Sequence, residues 1–182
     1  MLRCSAWMIT TVLAVSMMLS AALVAPADPA DDSAEAVVRV LYDKLCSPSE
    51  ATDEQLPDWQ AVRTLFLAEA VIVLRSSRTG NTVFDVDGWI ADFQAFIERA
   101  NVKKRGFSER IVRTRTMEFG DIAHVLVLYE ASFADTGGVG GGPPQQGVDS
   151  IHLARRPEGW KIVSIVNDLP TAQRPLPEAL RE

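Results

Sequence analysis

Residues 106–170 read GFSERIVRTRTMEFGDIAHVLVLYEASFADTGGVGGGPPQQGVDSIHLARRPEGWKIVSIVNDLP, and the fold is decided in this stretch. β-branched and aromatic side chains alternate there with polar ones, the period of a strand that buries one face. Residues 107–119 run to a turn at Gly120-Asp121, and residues 122–133 run back from it. A loose, glycine-rich loop fills 134–147. Residues 148–155 and 160–168 then make a second pair about the turn Pro157-Glu158-Gly159. Four long strands joined in this way predict an antiparallel sheet.

Working back from the sheet, the chain turns helical. Val37, Val38, Leu41 and Leu45 recur at helical spacing and predict a helix over 33–46, with Asp32 as N-cap and Glu35 three residues on. Prolines break the pattern over 47–57. A second helix over 58–67 aligns Trp59, Val62 and Phe66, and a strand over 70–75 follows. A turn over 76–81 leads to a short strand over 82–86. Asp87 is the expected cap of a third helix over 88–100, whose Trp89, Ile90, Phe93, Phe96 and Ile97 form a wide apolar stripe. The basic residues of 101–105 read as a solvated loop, and 171–182 as a loosely attached tail in which Leu176 and Leu180 are able to pack. The fold class expected is α+β, a curved, mostly antiparallel sheet wrapped around three N-terminal helices.

The chain has 182 residues, 47% of them apolar and 23% charged, which suits one globular domain. Arg3, an apolar run from Ala6 to Val24, and Ala25-Pro26-Ala27 predict a signal peptide over 1–27. The run is also near the length of a membrane anchor. The expected organisation is leader 1–27, linker 28–32, domain 33–170 and tail 171–182. Export to the periplasm or the exterior follows, with no membrane contact once the leader is cleaved. Cleavage would remove one Arg and no acid, leaving 17 basic against 24 acidic residues. That acidity disfavours nucleic acid as a partner. Two histidines and a single remaining thiol, Cys46, argue against a metal site, and no cofactor motif is present. The run Gly137-Gly138-Val139-Gly140-Gly141-Gly142 lacks the Lys-Ser or Lys-Thr of a phosphate loop and ends at Pro143-Pro144, so it reads as a connection.

Four segments in order carry a family resemblance: residues 66–73 (FLAEAVIV), 119–125 (FGDIAHV) with Tyr129-Glu130, 147–153 (GVDSIHL) and 159–165 (GWKIVSI). Together they resemble the nuclear transport factor 2-like superfamily, in its SnoaL-like and ketosteroid isomerase-like branch. The resemblance covers residues 33–170. It implies a cone whose sheet and helices enclose an apolar pocket, and a homodimer packed through the outer sheet face. Such a fold hosts isomerases, dehydratases and hydrolases as well as proteins that only bind, so the residues have to be taken individually.

Residues two apart on a strand share a face. The resemblance points Val125, Val127 and Tyr129 into the cone. Alternation then turns His124, Leu126, Leu128 and Glu130 outward, and brings Asp149, Ile151, Leu153, Val163, Ile165 and Asn167 inward. The family's isomerases use an Asp base at the end of the first strand, a Tyr on the first helix and a second, protonated Asp. Asp149 falls at that second Asp. Arg75 falls at the base, where a guanidinium accepts no proton. Tyr42 lies on the first helix one residue out of step, a rotation of about 100°. The ligand-binding set implied is Tyr42, Arg75, Val127, Tyr129, Asp149 and Asn167, with Asp149 and Arg75 as catalytic candidates. Arg75 is expected to pair with Asp149 and keep it ionised, either as a salt link at the mouth or as an anion holder beside an acceptor. His124, Leu126 and Leu128 are the expected dimer face. Two functions follow. One is a pocket for a small apolar or amphipathic molecule, with or without lyase, isomerase or hydrolase chemistry. The other is a protein-interaction module whose cone is plugged by Trp59, Trp89 and Phe93.

Overall fold

A computed structural model describes residues 32–76, 80–135 and 143–181. The leader, all but the last residue of the linker, and the glycine-rich run 137–142 lie outside the described residues. The element order is α1 (Ala34–Leu45), β1 (Ser47–Ser49), α2 (Trp59–Arg63), β2 (Phe66–Ser76), β3 (Gly80–Phe84), α3 (Val86–Arg99), α4 (Val102–Arg105), β4 (Gly106–Phe119), β5 (Ile122–Phe133), β6 (Gln145–Arg156) and β7 (Gly159–Asp168). Among the described residues the strands form one curved sheet in the order β1-β4-β5-β6-β7-β2-β3. All neighbours run antiparallel except β2 and β7.

Helix ends depart from the sequence expectation where acids have other partners. Ser33 rather than Asp32 caps α1, its hydroxyl accepting from the Ala36 N–H at 3.1 Å. Asp32 instead holds Arg155 at 2.7 Å. Asp85 rather than Asp87 caps α3, accepting from Gly88 N–H at 2.7 Å, while Asp87 pairs with Arg63 at 2.6 Å. The second helix stops at Arg63, because Phe66 already pairs with Ile162 on β7 and starts the strand. Nor are residues 102–105 a solvated loop. They form α4, and Arg105 lies 3.8 Å over the Phe133 ring while its Nε donates to Asp135 at 2.9 Å.

The inner face of the sheet follows strict alternation on β5 and β6 but not on β4 or β7. Ile111 opposes Tyr129 and Arg113 opposes Leu128, so Val112 is an extra residue in β4. Phe107, Glu109 and Ile111 therefore face inward before the bulge, and Thr114 and Thr116 after it, where both hydroxyls hold Glu35 of α1. The same happens in β7: Leu153 opposes Ile162 and His152 opposes Ser164, leaving Val163 over. Val163 is thus turned out to solvent and Ile162 is buried, which reverses the expected placement of Val163.

α1 crosses β4, β5 and β7, burying Ala34, Val38, Leu41, Tyr42 and Leu45. α3 lies against β2, and its stripe joins an aromatic cluster running from Trp59 through Phe93 and Phe96 to Phe107 and Phe133. Each such ring pair adds about 0.5–1.5 kcal/mol beyond its burial.

The C-terminal residues are bound rather than loose. Leu180 is 1% exposed, and Arg115 Nε on β4 donates to the Ala179 carbonyl at 2.7 Å. Leu180 and Leu128 are both buried yet lie apart from the main core cluster. Leu180→Ala is therefore expected to lower unfolding stability by about 2–5 kcal/mol, the range for a buried Leu truncation. Urea denaturation reads this directly, and a change under 0.5 kcal/mol would mean that the tail does not belong to the folded unit.

Candidate functional site

α1, α3 and the inner face of the sheet enclose an open cavity of about 230 Å3. Its wall is apolar where Leu41, Leu45, Ile72, Trp89, Phe93 and Ile165 meet it. Trp89 and Phe93 are thus wall residues with space beside them, and the aromatic stripe does not fill the cone. At one end five polar side chains converge: Tyr42, Glu109, Tyr129, Asp149 and Asn167.

Asp149 is the hub of that end. The Tyr42 hydroxyl donates to Oδ2 at 2.5 Å, and Asn167 Nδ2 donates to Oδ1 at 2.7 Å and to the Tyr129 oxygen at 3.0 Å. The displacement expected of Tyr42 is not found. Helical period places it with Val38 and Leu45 on the buried face of α1, so its ring points into the cavity. Burial pushes Asp149 above the usual carboxylate range, and the two hydrogen bonds it accepts pull the other way without cancelling that rise. Burial and the nearby Asp149 charge hold both tyrosine hydroxyls protonated, with pKa values above that of free tyrosine.

Arg75 lines the cavity but makes no ion pair with Asp149. Its Nε lies 3.3 Å from Asp168 Oδ1 at the end of β7, the strand that runs parallel to β2. The expected pair across the pocket is therefore absent, and no guanidinium offsets the desolvation of Asp149. Val127 is fully buried behind the site rather than in the cavity wall.

Glu109 is the residue that sequence reasoning missed. Burial first, and then Asp149, raises its pKa to about 8. Among the described residues its carboxyl has no hydrogen-bond or ion-pair partner. The signal was present in the sequence: Phe107, Glu109 and Ile111 alternate, and an acid between two inward apolar residues belongs to the inner face.

On the outer face, the rings of His124 and His152 stack at 4.8 Å, and each bonds a serine, Ser150 at 2.9 Å and Ser164 at 3.2 Å. Leu126 is half-buried beside them. Leu128 is only 4% exposed, so it presents almost nothing to a partner, contrary to its place in the expected dimer face. No group of three or more His, Cys, Asp or Glu among the described residues is placed to hold a metal ion.

No family model and no curated protein matches the sequence. Solved structures do match the fold. One is a protein with a cystatin-like fold from Caulobacter vibrioides, at TM-score 0.56 and 10% identity over 79% of this chain and 92% of that one. A second is a nuclear transport factor 2-like protein from Pseudomonas putida, at TM-score 0.54 and 9% identity over 81% and 93%. A third, from Novosphingobium aromaticivorans, is nuclear transport factor 2-like with a cystatin-like fold, at TM-score 0.50 and 16% identity over 64% and 73%. The chain has the nuclear transport factor 2-like fold.

Proposed function

We propose that the protein binds a small, largely apolar molecule in this cavity, with an uncharged oxygen of the ligand placed at Glu109. The observation that carries the reading is a carboxyl group without a protein partner among the described residues, at the polar end of a cavity whose remaining wall is largely apolar. A carboxyl group whose acidity is strongly weakened and which faces a cavity is the kind of group that functional sites present. At about 230 Å3 the chamber is smaller than the ~300–1,000 Å3 of pockets that hold drug-sized ligands, so the inserted group is compact.

Glu109 also has the acidity for proton transfer. A carboxyl group with a pKa of about 8 is protonated at neutral pH and readily regenerated, so it donates a proton to a ligand oxygen and recovers it. Tyr42, Asn167 and Asp149 hold one another in place and define the position of the ligand's polar end. Isomerase- or dehydratase-type chemistry on a carbonyl or hydroxyl compound is the catalytic form of this reading. The open chamber favours it over a pure interaction module.

Native mass spectrometry of the purified protein tests the binding. A small-molecule adduct should be released on unfolding, and Asp149→Asn should retain less of it, since the amide disturbs the contacts from Tyr42 and Asn167. A wild-type protein that carries no adduct, and gains no thermal stability from a library of neutral apolar fragments, would overturn the reading.

A further inference from the structure

A second, wider space of about 630 Å3 adjoins the chamber, and the two share Arg75, Gln145 and Leu169 in their walls. Arg174 lines this second space, a vestibule, as well, close to Arg75, since both reach Asp168. We infer that the ligand is an amphipathic carboxylate, whose apolar body enters the chamber while Arg75 and Arg174 hold its charged end at the mouth. This rests on the reading of the chamber given above.

Charge at the mouth is the first argument. Arg75 and Arg174 share one acid, Asp168: Arg75 Nε is 3.3 Å from Oδ1, and Arg174 is 2.8 Å from Oδ2 and 3.2 Å from Oδ1. Glu130, the acid in the vestibule lining, is already held by Arg110 at 2.7 Å and by Gln146 at 3.3 Å. Two guanidinium groups against one available carboxylate leave one positive charge over. This occurs in a chain whose net charge is −6, so the mouth is positive against an acidic background.

Accessibility is the second. The side chains of Arg75, Arg174 and Asp168 are 36%, 43% and 48% exposed. Ion pairs that open to water contribute little to stability, so an incoming carboxylate can share or replace Asp168 at small expense. Asp168 Oδ1 also accepts from the Leu169 N–H at 2.8 Å, which keeps the acid in place when the arginines turn toward a ligand.

Polarity along the cavity then fixes the direction of entry. The inner end, around Glu109 and Asp149, has no cationic side chain in its wall among the described residues, so a carboxylate placed there would lose its hydration with no counter-charge to offset the loss. An anionic group is accepted only at the mouth, where planar guanidinium groups suit a carboxylate. The molecule therefore enters neutral end first.

A matched series of ω-(4-hydroxyphenyl)alkanoic acids with two to six methylenes, and their primary amides, tests this by isothermal titration calorimetry. At least one acid should bind about tenfold or more tightly than its own amide, the worth of a charged hydrogen bond, with the preference shrinking as salt is raised. Arg75→Gln/Arg174→Gln should bring the acid down to the affinity of the amide, and Arg75→Lys/Arg174→Lys should restore part of the gap. Thermal unfolding checks that both variants are folded. Acids and amides that bind equally, or a preference that survives the double Gln variant, would overturn the mouth assignment and leave the chamber reading standing. If no acid or amide in the series binds, both fall.

Discussion

Glu109→Gln is expected to make the protein more stable than the wild type at pH 9, by about 2–4 kcal/mol, and nearly equal to it at pH 5. The sign follows from the raised pKa of Glu109, which moves from the ordinary 4.5 of the unfolded chain to about 8 in the folded one. Below pH 4.5 both states carry the proton and the folded protein has the full benefit. Between 4.5 and 8 only the folded state keeps it, so stability falls by about 1.4 kcal/mol per pH unit as pH rises. Above 8 the folded protein holds a charged carboxylate beside Asp149 and that benefit is gone. Solvent reaching the carboxyl through the cavity softens the loss, which is why the total expected is less than the window alone would give. Gln has nearly the same shape and no proton to lose, so it removes this slope. Urea unfolding of both proteins at pH 5, 7 and 9 measures the difference. Parallel pH profiles would mean that Glu109 has an ordinary acidity, and the proton-transfer chemistry proposed for it would go as well.

Gly147→Ala is expected to destabilise the protein by about 1–3 kcal/mol and to empty the polar end of the chamber. Gly147 lies opposite Tyr129 in the β5–β6 ladder. The Tyr129 ring lies across it, so that a Cβ there would run into Cζ, Cε1 and the hydroxyl oxygen. The backbone at Gly147 is one that any residue adopts, so the effect is steric and not conformational. Overpacking of this kind costs about 1–3 kcal/mol. Either the strands separate or the ring swings away, and in the second case the Asn167 contact at 3.0 Å is broken. Ligand retention should fall together with stability. The double variant Gly147→Ala/Tyr129→Ala distinguishes this from a general fault in the strand. If the ring is the obstacle, the Gly147 substitution should add almost nothing once Tyr129 is gone. Two losses that simply add would show that the ring is not what Gly147 accommodates.

Much of the inner face could be read from alternation alone. Val125, Val127 and Tyr129 on β5 and Asp149, Ile151 and Leu153 on β6 face inward as expected, because those two strands pair from residue 122 to 131 without an extra residue. The helical period likewise contained the inward direction of Tyr42, although the family comparison argued against it. The main helices, the four strands of the C-terminal half and the α+β class rest on the same local rules, which depend only on neighbours along the chain, whereas β2 starts at Phe66 and is longer than its apolar run suggested.

Pairing across the fold is not local, and there the sequence alone was insufficient. An extra residue at Val112 or Val163 reverses the parity of everything after it, yet valine suits either face of a sheet and leaves no mark. The partner of Arg75 was decided by the parallel pairing of β2 with β7, which brings Asp168 to it while Tyr42 and Asn167 occupy Asp149. The caps shifted to Ser33 and Asp85 for the same reason, since Asp32 and Asp87 face arginines distant in sequence. The sequence by itself determined the main helices, the strand-rich C-terminal half and the apolar faces of β5 and β6. Only the tertiary structure decided which acid is left without a partner, because a charge has its pKa set by whatever the rest of the chain brings within a few ångströms of it.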